Sequence, residues 1–260
     1  MDEWGYCPVK LVTPVMTYAD PSFGEIECVL TLLMRDFNTI INDTCSLNVH
    51  VGNIAVDSKA TAAGQHLQSL GFSLTALENL LSFVWIYQNQ LNALHPESRI
   101  SKDHCLGPSI LLSHLNPRIV KQEIQSCTSM QALSQLWDGS ANLHKHTADT
   151  LAYSIQDMTA HSSASGDLFE SGNRTVRFGQ HRSTLVTLEI YHWVMLVGHL
   201  VRLADRCIPW CPPLAVVVGR DRKLQAEICE VGTVQLLEEI DAEEQADFYA
   251  GRLHEHESCC

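Results

Sequence analysis

The stretch that decides the fold reads Cys45-Ser46-Leu47-Asn48-Val49-His50-Val51-Gly52. Apolar and polar residues alternate along it, and successive side chains of a β-strand point to opposite faces of a sheet. The pattern therefore predicts a strand whose apolar side packs against the core while its polar side meets water or lines a cleft. The apolar side is Leu47, Val49 and Val51, and the polar side is Ser46, Asn48 and His50.

The composition favours a globular protein that binds neither nucleic acid nor membranes. The 260 residues are 45% hydrophobic and 18% charged, which is ordinary for a chain that buries a substantial core. The net charge of −13 argues against nucleic acid and anionic membranes, because both attract basic surfaces. Met1 to Gly5 lack the features of a signal peptide. We therefore expect a cytoplasmic protein whose ten cysteines stay reduced.

Hydrophobic periodicity predicts helices and further strands around the opening strand. Apolar side chains recur at helical spacing from Glu25 to Ile40, after a short extended segment, Lys10 to Val15. Thr75-Ala76-Leu77-Glu78 has the spacing of a capping box that opens a helix to about Leu94. The other predicted elements are a loop from Asp57 to Leu70, short helices near Ser109 to His114 and Ser129 to Trp137, a strand over Arg174 to Gln180, and a long helix from Thr184 to Arg206.

Five segments, in order along the chain, resemble motifs of the amidoligase family, which belongs to the glutamine synthetase-like carboxylate–amine ligase superfamily. The opening strand is similar to the family's Cys-Gly-Leu-His-Val-His-Val-Gly, in which Asn48 replaces the first His. Thr175 to Leu185 resembles its Thr-Val-Glu-Phe-Arg-Gln-His-Glu-Gly-Thr-Leu, and Trp193 falls where the next helix usually carries a Trp. The other similar segments are Leu11-Val12-Thr13-Pro14-Val15, the helix Leu77 to Leu94, and His95-Pro96-Glu97-Ser98-Arg99.

The resemblance implies an α+β fold over residues 1–206, with a curved antiparallel or mixed sheet and helices packed on one face. This is the glutamine synthetase-like catalytic-domain fold, without the Gly-x-Glu-x-Glu strand that usually comes first. Residues 207–260 are then expected to form a C-terminal extension with an acidic helix and a disordered Cys/His tail.

The resemblance also implies a chemistry and a set of site residues. Such ligases use ATP and Mg²⁺ to activate a carboxylate as an acyl phosphate, which an amine then attacks. The expected substrate is a small-molecule carboxylate or amine. By resemblance, the catalytic residues are His50, Asn48 and His181, the substrate-binding residues are Arg99, Arg177 and Gln180, and no metal ligand remains at the matched positions.

This sequence departs from the family pattern where the family carries charge. Lys10, Arg177 and Arg182 each replace an acidic residue, Gly179 replaces an arginine, and Asn48 replaces a histidine. Arginine in place of glutamate repels Mg²⁺, and glycine removes a bidentate clamp for phosphate or carboxylate. We therefore expect ligase activity to be reduced or absent.

Two classes of function stay open at this point. The first is an enzyme, either a ligase with relocated metal ligands or a repurposed catalyst that acts on a small molecule without ATP. The second is a non-catalytic protein that binds a small molecule or another protein through the same cleft or a helical surface.

Other groups of reactive residues favour structural roles. Cys45 is expected to be buried at the start of its strand, and His192 and His199 to lie at the core edge of one helix. The remaining groups are Cys207 with Cys211, His144 with His146, and the tail His254, His256, Cys259 and Cys260, which are expected to be exposed or structural rather than metal sites.

Overall fold

The structure, a computed structural model, describes residues 9–18, 23–42, 44–56, 67–100, 105–116, 119–139, 150–158, 174–206 and 232–257. In these residues, helices surround a small three-stranded antiparallel sheet, which confirms the α+β class. Some predicted features lie outside them, namely His144 with His146, Cys207 with Cys211, and the terminal Cys259 and Cys260.

Helices form most of the described chain. In order they are α1 (Phe23–Asp36), α2 (Leu74–Ile86), α3 (Gln88–Asn92), α4 (Pro108–Leu111), α5 (Val120–Gln125), α6 (Met130–Trp137), α7 (Thr187–Arg206), α8 (Thr233–Glu239) and α9 (Glu243–Glu257). Short 3-10 helices are present at Glu97–Arg99 and Gln156–Met158. Among the described residues, no helix has both the length and the apolar character needed to cross a membrane.

The three-stranded sheet pairs the two predicted strands with each other and adds, at one edge, a strand that the sequence did not indicate. Its strands are β1 (Val49–Gly52), β4 (Tyr153–Ser154) and β5 (Thr175–Phe178), in the spatial order β1-β5-β4. Both pairings are antiparallel, with His50 and Ser154 each opposite Arg177 on β5. The predicted strands are thus confirmed with shorter ends, whereas a two-residue strand such as β4 is too short to show alternation.

A second, two-stranded sheet corrects the last part of the predicted loop from Asp57 to Leu70, of which residues 57–66 lie outside the described residues. β2 (Ile54–Val56) pairs antiparallel with β3 (Leu67–Ser69). The prediction rested on small and polar composition, but the two segments satisfy each other's backbone hydrogen bonds, and composition does not reveal such a pairing.

The start of α2 also differs from the prediction. Ser73, and not Thr75, is the N-cap: its backbone is extended and its Oγ accepts a hydrogen bond of 3.1 Å from the amide of Ala76. A cap must lie just outside the helix so that its side chain can reach back to an orphan amide. The helix is interrupted at Tyr87, and α3 ends at Asn92, before the predicted end at Leu94.

The N-terminal part of the chain packs less closely than the sequence predicts. Leu11 to Val15 is outside any described strand, and α1 ends at Asp36 instead of Ile40. α1 contacts α7 through Phe23, whose ring lies 4.9 Å from that of Tyr191. Apolar side chains nevertheless stay exposed at Val9, Leu11, Val12, Val15, Val29, Leu32, Met34, Phe37 and Ile40.

One hydrophobic core unites the sheet, α2, α7 and the C-terminal helices. Its largest fully buried side chains include Trp137, Trp193, Tyr87 and Phe178. α8 and α9 add Leu236, Leu237, Ile240, Ala242, Ala246 and Tyr249 to the same cluster. The backbone of α9 is helical through His254 and His256, so the predicted disordered tail is wrong for those two residues.

Candidate functional site

The exposed side of β1 carries the polar side chains that the sequence predicts there. Leu47, Val49 and Val51 pack against the core, while Ser46, Asn48 and His50 are exposed. This confirms the two faces predicted from the alternation. We call the surface formed by Ser46, Asn48, His50, Thr175 and Arg177 the polar face.

His50 is held by Thr175 and Asp157. Its Nδ1 lies 3.2 Å from Oγ1 of Thr175, whose hydroxyl donates a 3.1 Å hydrogen bond to Oδ2 of Asp157. Because the hydroxyl proton points to the carboxylate, the threonine oxygen is left to accept from Nδ1–H of His50. Asp157 Oδ2 is also 3.6 Å from His50 Nδ1, and the side chains of His50 and Asp157 are 47% and 48% exposed.

The contacts of Asp157 keep it ionised. The hydrogen bond to His50 lowers the pKa of this carboxyl group, partial burial opposes the shift, and the bond from Thr175 and the charge of Arg177 lower it further. Asp157 and His50 therefore present a negative carboxylate beside an imidazole, and both groups are accessible from solvent.

Arg177 lies in the middle of the polar face and is itself buried, with 7% exposure. Its Nη1 donates to Oδ1 of Asn48 at 3.1 Å, and its Nη2 donates to the carbonyl of Leu151 at 3.3 Å. These two acceptors are neutral and lie just before β1 and before β4, and the guanidinium group occupies a position where the resemblance implies a glutamate.

Gly179 leaves room for this arrangement. A Cβ atom at this position would lie 2.9 Å from Oδ1 of Asn48, 3.0 Å from Nη1 of Arg177 and 3.1 Å from the carbonyl oxygen of Leu151. The first distance is shorter than real Cβ atoms show, the other two are tighter than most real Cβ contacts, and the last of them is to backbone. Three of the five departures from the family pattern therefore adjoin one another, namely Asn48, Arg177 and Gly179, and a side chain at position 179 would crowd the other two.

A second carboxylate, Asp138, lies behind the polar face at the end of α6. It is 8% exposed and accepts hydrogen bonds from the amide of Ile155 and the hydroxyl of Ser134. Burial raises its pKa to about 6, against the opposing effect of hydrogen bonds from Ser154, Ile155 and Ser134 and the charge of Arg177. Asp138 is thus a group that titrates near neutral pH.

Sequence reasoning missed Asp138 and Asp157. Asp157 lies on the three-residue 3-10 helix after β4, which is too short to give a periodic pattern, and Asp138 is the residue that caps the end of α6. The one available signal was that Asp138 directly follows the predicted helix ending at Trp137.

Arg99 and Gln180 are not placed on the polar face. Arg99 is buried and donates to the carbonyls of Gly179 at 2.8 Å and Gln180 at 3.4 Å, so it holds the end of β5. Gln180 accepts from the hydroxyl of Tyr153 and donates to Oδ1 of Asn92, each at 2.6 Å. These contacts support structural roles for both residues.

His181 and Cys45 are also away from the exposed polar side chains. His181 is buried, and its Nδ1 lies 2.6 Å from the carbonyl of Arg182, to which it donates. Cys45 is half-buried, and its Sγ donates to Oδ1 of Asn42 at 3.3 Å. The predicted site residues that share one surface are therefore Asn48, His50 and Arg177.

The described residues do not fit Mg²⁺ on the polar face. No group of three His, Cys, Asp or Glu side chains with metal-binding geometry occurs in the part of the chain that the structure describes. Asp157 is engaged by His50 and Thr175, and Arg177 brings a positive charge to the position of the missing glutamate. Mg²⁺ is usually held by one or two carboxylates together with water and phosphate oxygens, and the adjacent guanidinium group repels it.

Comparison with known proteins does not extend this description. No protein-family model matches the chain, and no curated protein or solved structure shows significant similarity to it. The resemblance to amidoligases therefore stays a prediction from the sequence motifs, and the function has to be argued from the polar face.

Proposed function

We propose that the chain is an amidoligase-family protein with a glutamine synthetase-like fold, whose ancestral ATP-dependent ligase site now binds a small molecule without metal-dependent ATP chemistry. The observation that carries this proposal is the mutual contact of Asn48, Arg177 and Gly179.

The contact matters because a change at one of these three positions affects the other two. Gly179 gives space, Asn48 supplies a neutral acceptor, and Arg177 fills the space with a buried guanidinium group. A buried arginine needs such acceptors, since an unpaired buried charge is costly. Unconnected losses of single catalytic residues would not have to complement one another in this way.

The charges of the polar face define the ligand class. Asp157 presents an ionised, half-exposed carboxylate that attracts an amine, and the imidazole of His50 lies directly beside it. The buried guanidinium group of Arg177 adds positive charge beneath these two exposed side chains. This charge favours a carboxylate on the same ligand. A small molecule that carries an amine, a carboxylate or both therefore suits this surface.

Calorimetric titration of the full chain with ATP and Mg²⁺ tests the loss of ligase chemistry. The expected result is no binding at millimolar nucleotide, because the described residues supply no magnesium site. Binding in this range would contradict the proposal and support a ligase with relocated ligands.

Nuclear magnetic resonance tests the binding function directly, with glycine, glutamate and ethanolamine as probes at millimolar concentration. We expect at least one of them to shift the signals of His50, and the variant Asp157→Asn to abolish that shift. His114→Gln, at an exposed histidine at the end of α4, is the matched control. Unchanged His50 signals with all three probes would count against a small-molecule site here.

A second candidate function is a repurposed enzyme, and the geometry of His50 favours it. An imidazole whose Nδ1 is fixed by a hydroxyl and a carboxylate keeps its other nitrogen available to take up or release a proton, which is the arrangement of a general base. Hydrolysis of an activated ester by the wild-type chain, lost in His50→Gln, would support this function over binding alone.

A further inference from the structure

A second group of titratable side chains lies inside the protein, behind the sheet. His95 follows α3 and is 8% exposed. Its ring meets those of Trp193 and His181 edge to face, with centroid distances of 4.7 and 5.4 Å. The rings of His181 and Trp193 are 5.4 Å apart, and both residues are buried. We call these three residues the histidine cluster.

The hydrogen bonds of the cluster suit neutral imidazoles. In the described part of the chain, neither ring nitrogen of His95 has a partner with hydrogen-bond geometry. Gln180 is nearby, but its amide is engaged by Tyr153 and Asn92. His181 donates from Nδ1 to the carbonyl of Arg182, so one proton on its ring is sufficient. An added proton would have to be buried without compensation.

The charged groups around the cluster are mostly positive. Arg99 faces it from the 3-10 helix after α3, Arg182 from the end of β5, and Arg252 from α9. The one acidic group among the charges that act on His95 and His181 is Glu189 at the start of α7, whose Oε1 lies 2.8 Å from Nη1 of Arg252 and 3.9 Å from Nη2 of Arg182. Three guanidinium groups thus outweigh one carboxylate before either histidine takes up a proton.

Both histidines accordingly resist protonation in the folded protein. Burial lowers the pKa of His95 well below its usual value, and His181 and Arg99 add to this effect, while Gln180 opposes it. Burial also lowers the pKa of His181, the bond to Arg182 and the charge of Glu189 oppose the shift, and Arg252 and Arg182 support it. In the unfolded chain, both imidazoles take up protons near pH 6.5, about the ordinary value for histidine.

We propose that the histidine cluster is an acid-sensitive switch, which holds the segment after α3 against α7 only while both imidazoles are neutral. Below about pH 6.5, where imidazoles released from the folded structure take up protons, states in which the rings of His95, His181 and Trp193 have separated become favoured. Arg99 transmits the change, because it lies four residues after His95 and donates to the carbonyls of Gly179 and Gln180. Acidification therefore loosens the end of β5 and, with it, the support of the polar face.

The sign of the pH effect follows from linkage. A histidine whose pKa is lower in the folded state contributes stability that is complete above its unfolded value and is lost as the pH falls below it. A histidine that stays neutral in the folded protein while the pH falls below its unfolded pKa reduces the folding equilibrium constant by about tenfold per pH unit.

Urea unfolding of the full chain at pH 7.5 and 5.5 tests the proposal. His95→Phe keeps an aromatic ring and removes the titrating group, and His114→Gln is the control at an exposed histidine. Between the two pH values, we expect the folding equilibrium constant to fall about tenfold less in His95→Phe than in wild type, and equally in His114→Gln and wild type. An equal fall in all three proteins would overturn the proposal.

A measurement on the wild-type chain serves if His95→Phe does not fold. The imidazole signals that show a nuclear Overhauser contact to the ring of Trp193 should not shift with pH down to about 5.5. At lower pH they should disappear together with the other native signals. A shift centred near pH 6.5, with the native signals retained, would show that the cluster accepts a proton and would contradict a switch.

Discussion

Nη1 of Arg177 on β5 donates a 3.1 Å hydrogen bond to Oδ1 of Asn48, which directly precedes β1 and is 129 positions away in the chain. Both residues differ from those that the family resemblance implies at these positions, and Asn48 supplies the acceptor that the guanidinium group of Arg177 needs. The guanidinium group gains an acceptor, and the amide of Asn48 also donates to Oγ of Ser46 at 3.2 Å. The bond is therefore the first feature to test by mutation.

Asn48→Ala removes an acceptor from a buried guanidinium group, and we expect it to destabilise the protein by about 1 kcal/mol. Asn48→Asp keeps an oxygen in the same place and should be at least as stable as wild type at pH 7. Urea unfolding measures both variants. Equal stability of the alanine variant and wild type would show that the hydrogen bond contributes nothing.

Gly179→Ala introduces a Cβ atom 2.9 Å from Asn48 Oδ1 and 3.1 Å from the backbone oxygen of Leu151. Because that oxygen belongs to the backbone and cannot move freely, we expect a loss of about 1–3 kcal/mol in the free energy of unfolding. Gly251→Ala in α9 is the matched control.

The control has open space around the added atom, and alanine should stabilise the helix there by about 0.5–1 kcal/mol. Thermal unfolding of the two variants should therefore shift in opposite directions. A parallel shift would contradict the steric role assigned to Gly179.

His50→Gln should raise the pKa of Asp157, because the bond to His50 is the largest cause of its lowering. A carboxyl group with a lowered pKa contributes stability that is present above its unfolded value and is lost as the pH falls through the folded value. Carbon-13 resonance of the Asp157 carboxyl group measures the shift. Thr175→Val is expected to raise the pKa of Asp157 by a smaller amount. An unchanged pKa of Asp157 in both variants would mean that neither His50 nor Thr175 acts on it.

Asp138 should give a pH dependence of opposite sign. Its pKa is raised from the ordinary 3.8 to about 6, so the folded state favours the protonated form. The stability it contributes is complete below its unfolded pKa and is lost as the pH rises towards 6, by at most roughly 3 kcal/mol. Asp138→Asn resembles the protonated form and should remove this dependence from urea midpoints measured at pH 4.5 and 6.5. An unchanged dependence would show that Asp138 ionises normally.

The sequence predicted the polar face in part, and the reason lies in which residues carry periodic patterns. The alternation around His50 and Val49 assigned the two sides of β1 correctly, because one side is buried and the other is not. The sequence did not reveal Asp157, because it lies on a 3-10 helix of three residues, or Asp138, because it lies just beyond the last residue of α6 and outside its periodic pattern. Position along the chain gives no information about contacts that tertiary packing creates.

The surroundings of Arg99 and Gln180 also depend on tertiary packing that the sequence does not show. Arg99 and Gln180 matched the family motifs and were predicted to bind substrate, but their partners are the backbone of β5 and the side chains of Tyr153 and Asn92. A motif identifies residue types and their order, whereas burial decides whether a polar side chain faces a ligand or the interior.

Distant parts of the chain share one hydrophobic core, and this affects the order in which the protein folds. Thr233 donates from Oγ1 to the carbonyl of Gln90 across 143 residues, and His192 stacks on Phe248 with ring centroids 3.9 Å apart. Contacts of such long separation form slowly, because a large loop must close before they stabilise anything. While the protein is being synthesised, α2 and α7 therefore keep apolar surface uncovered until α8 and α9 have left the ribosome, and this interval is when the chain is most exposed to aggregation.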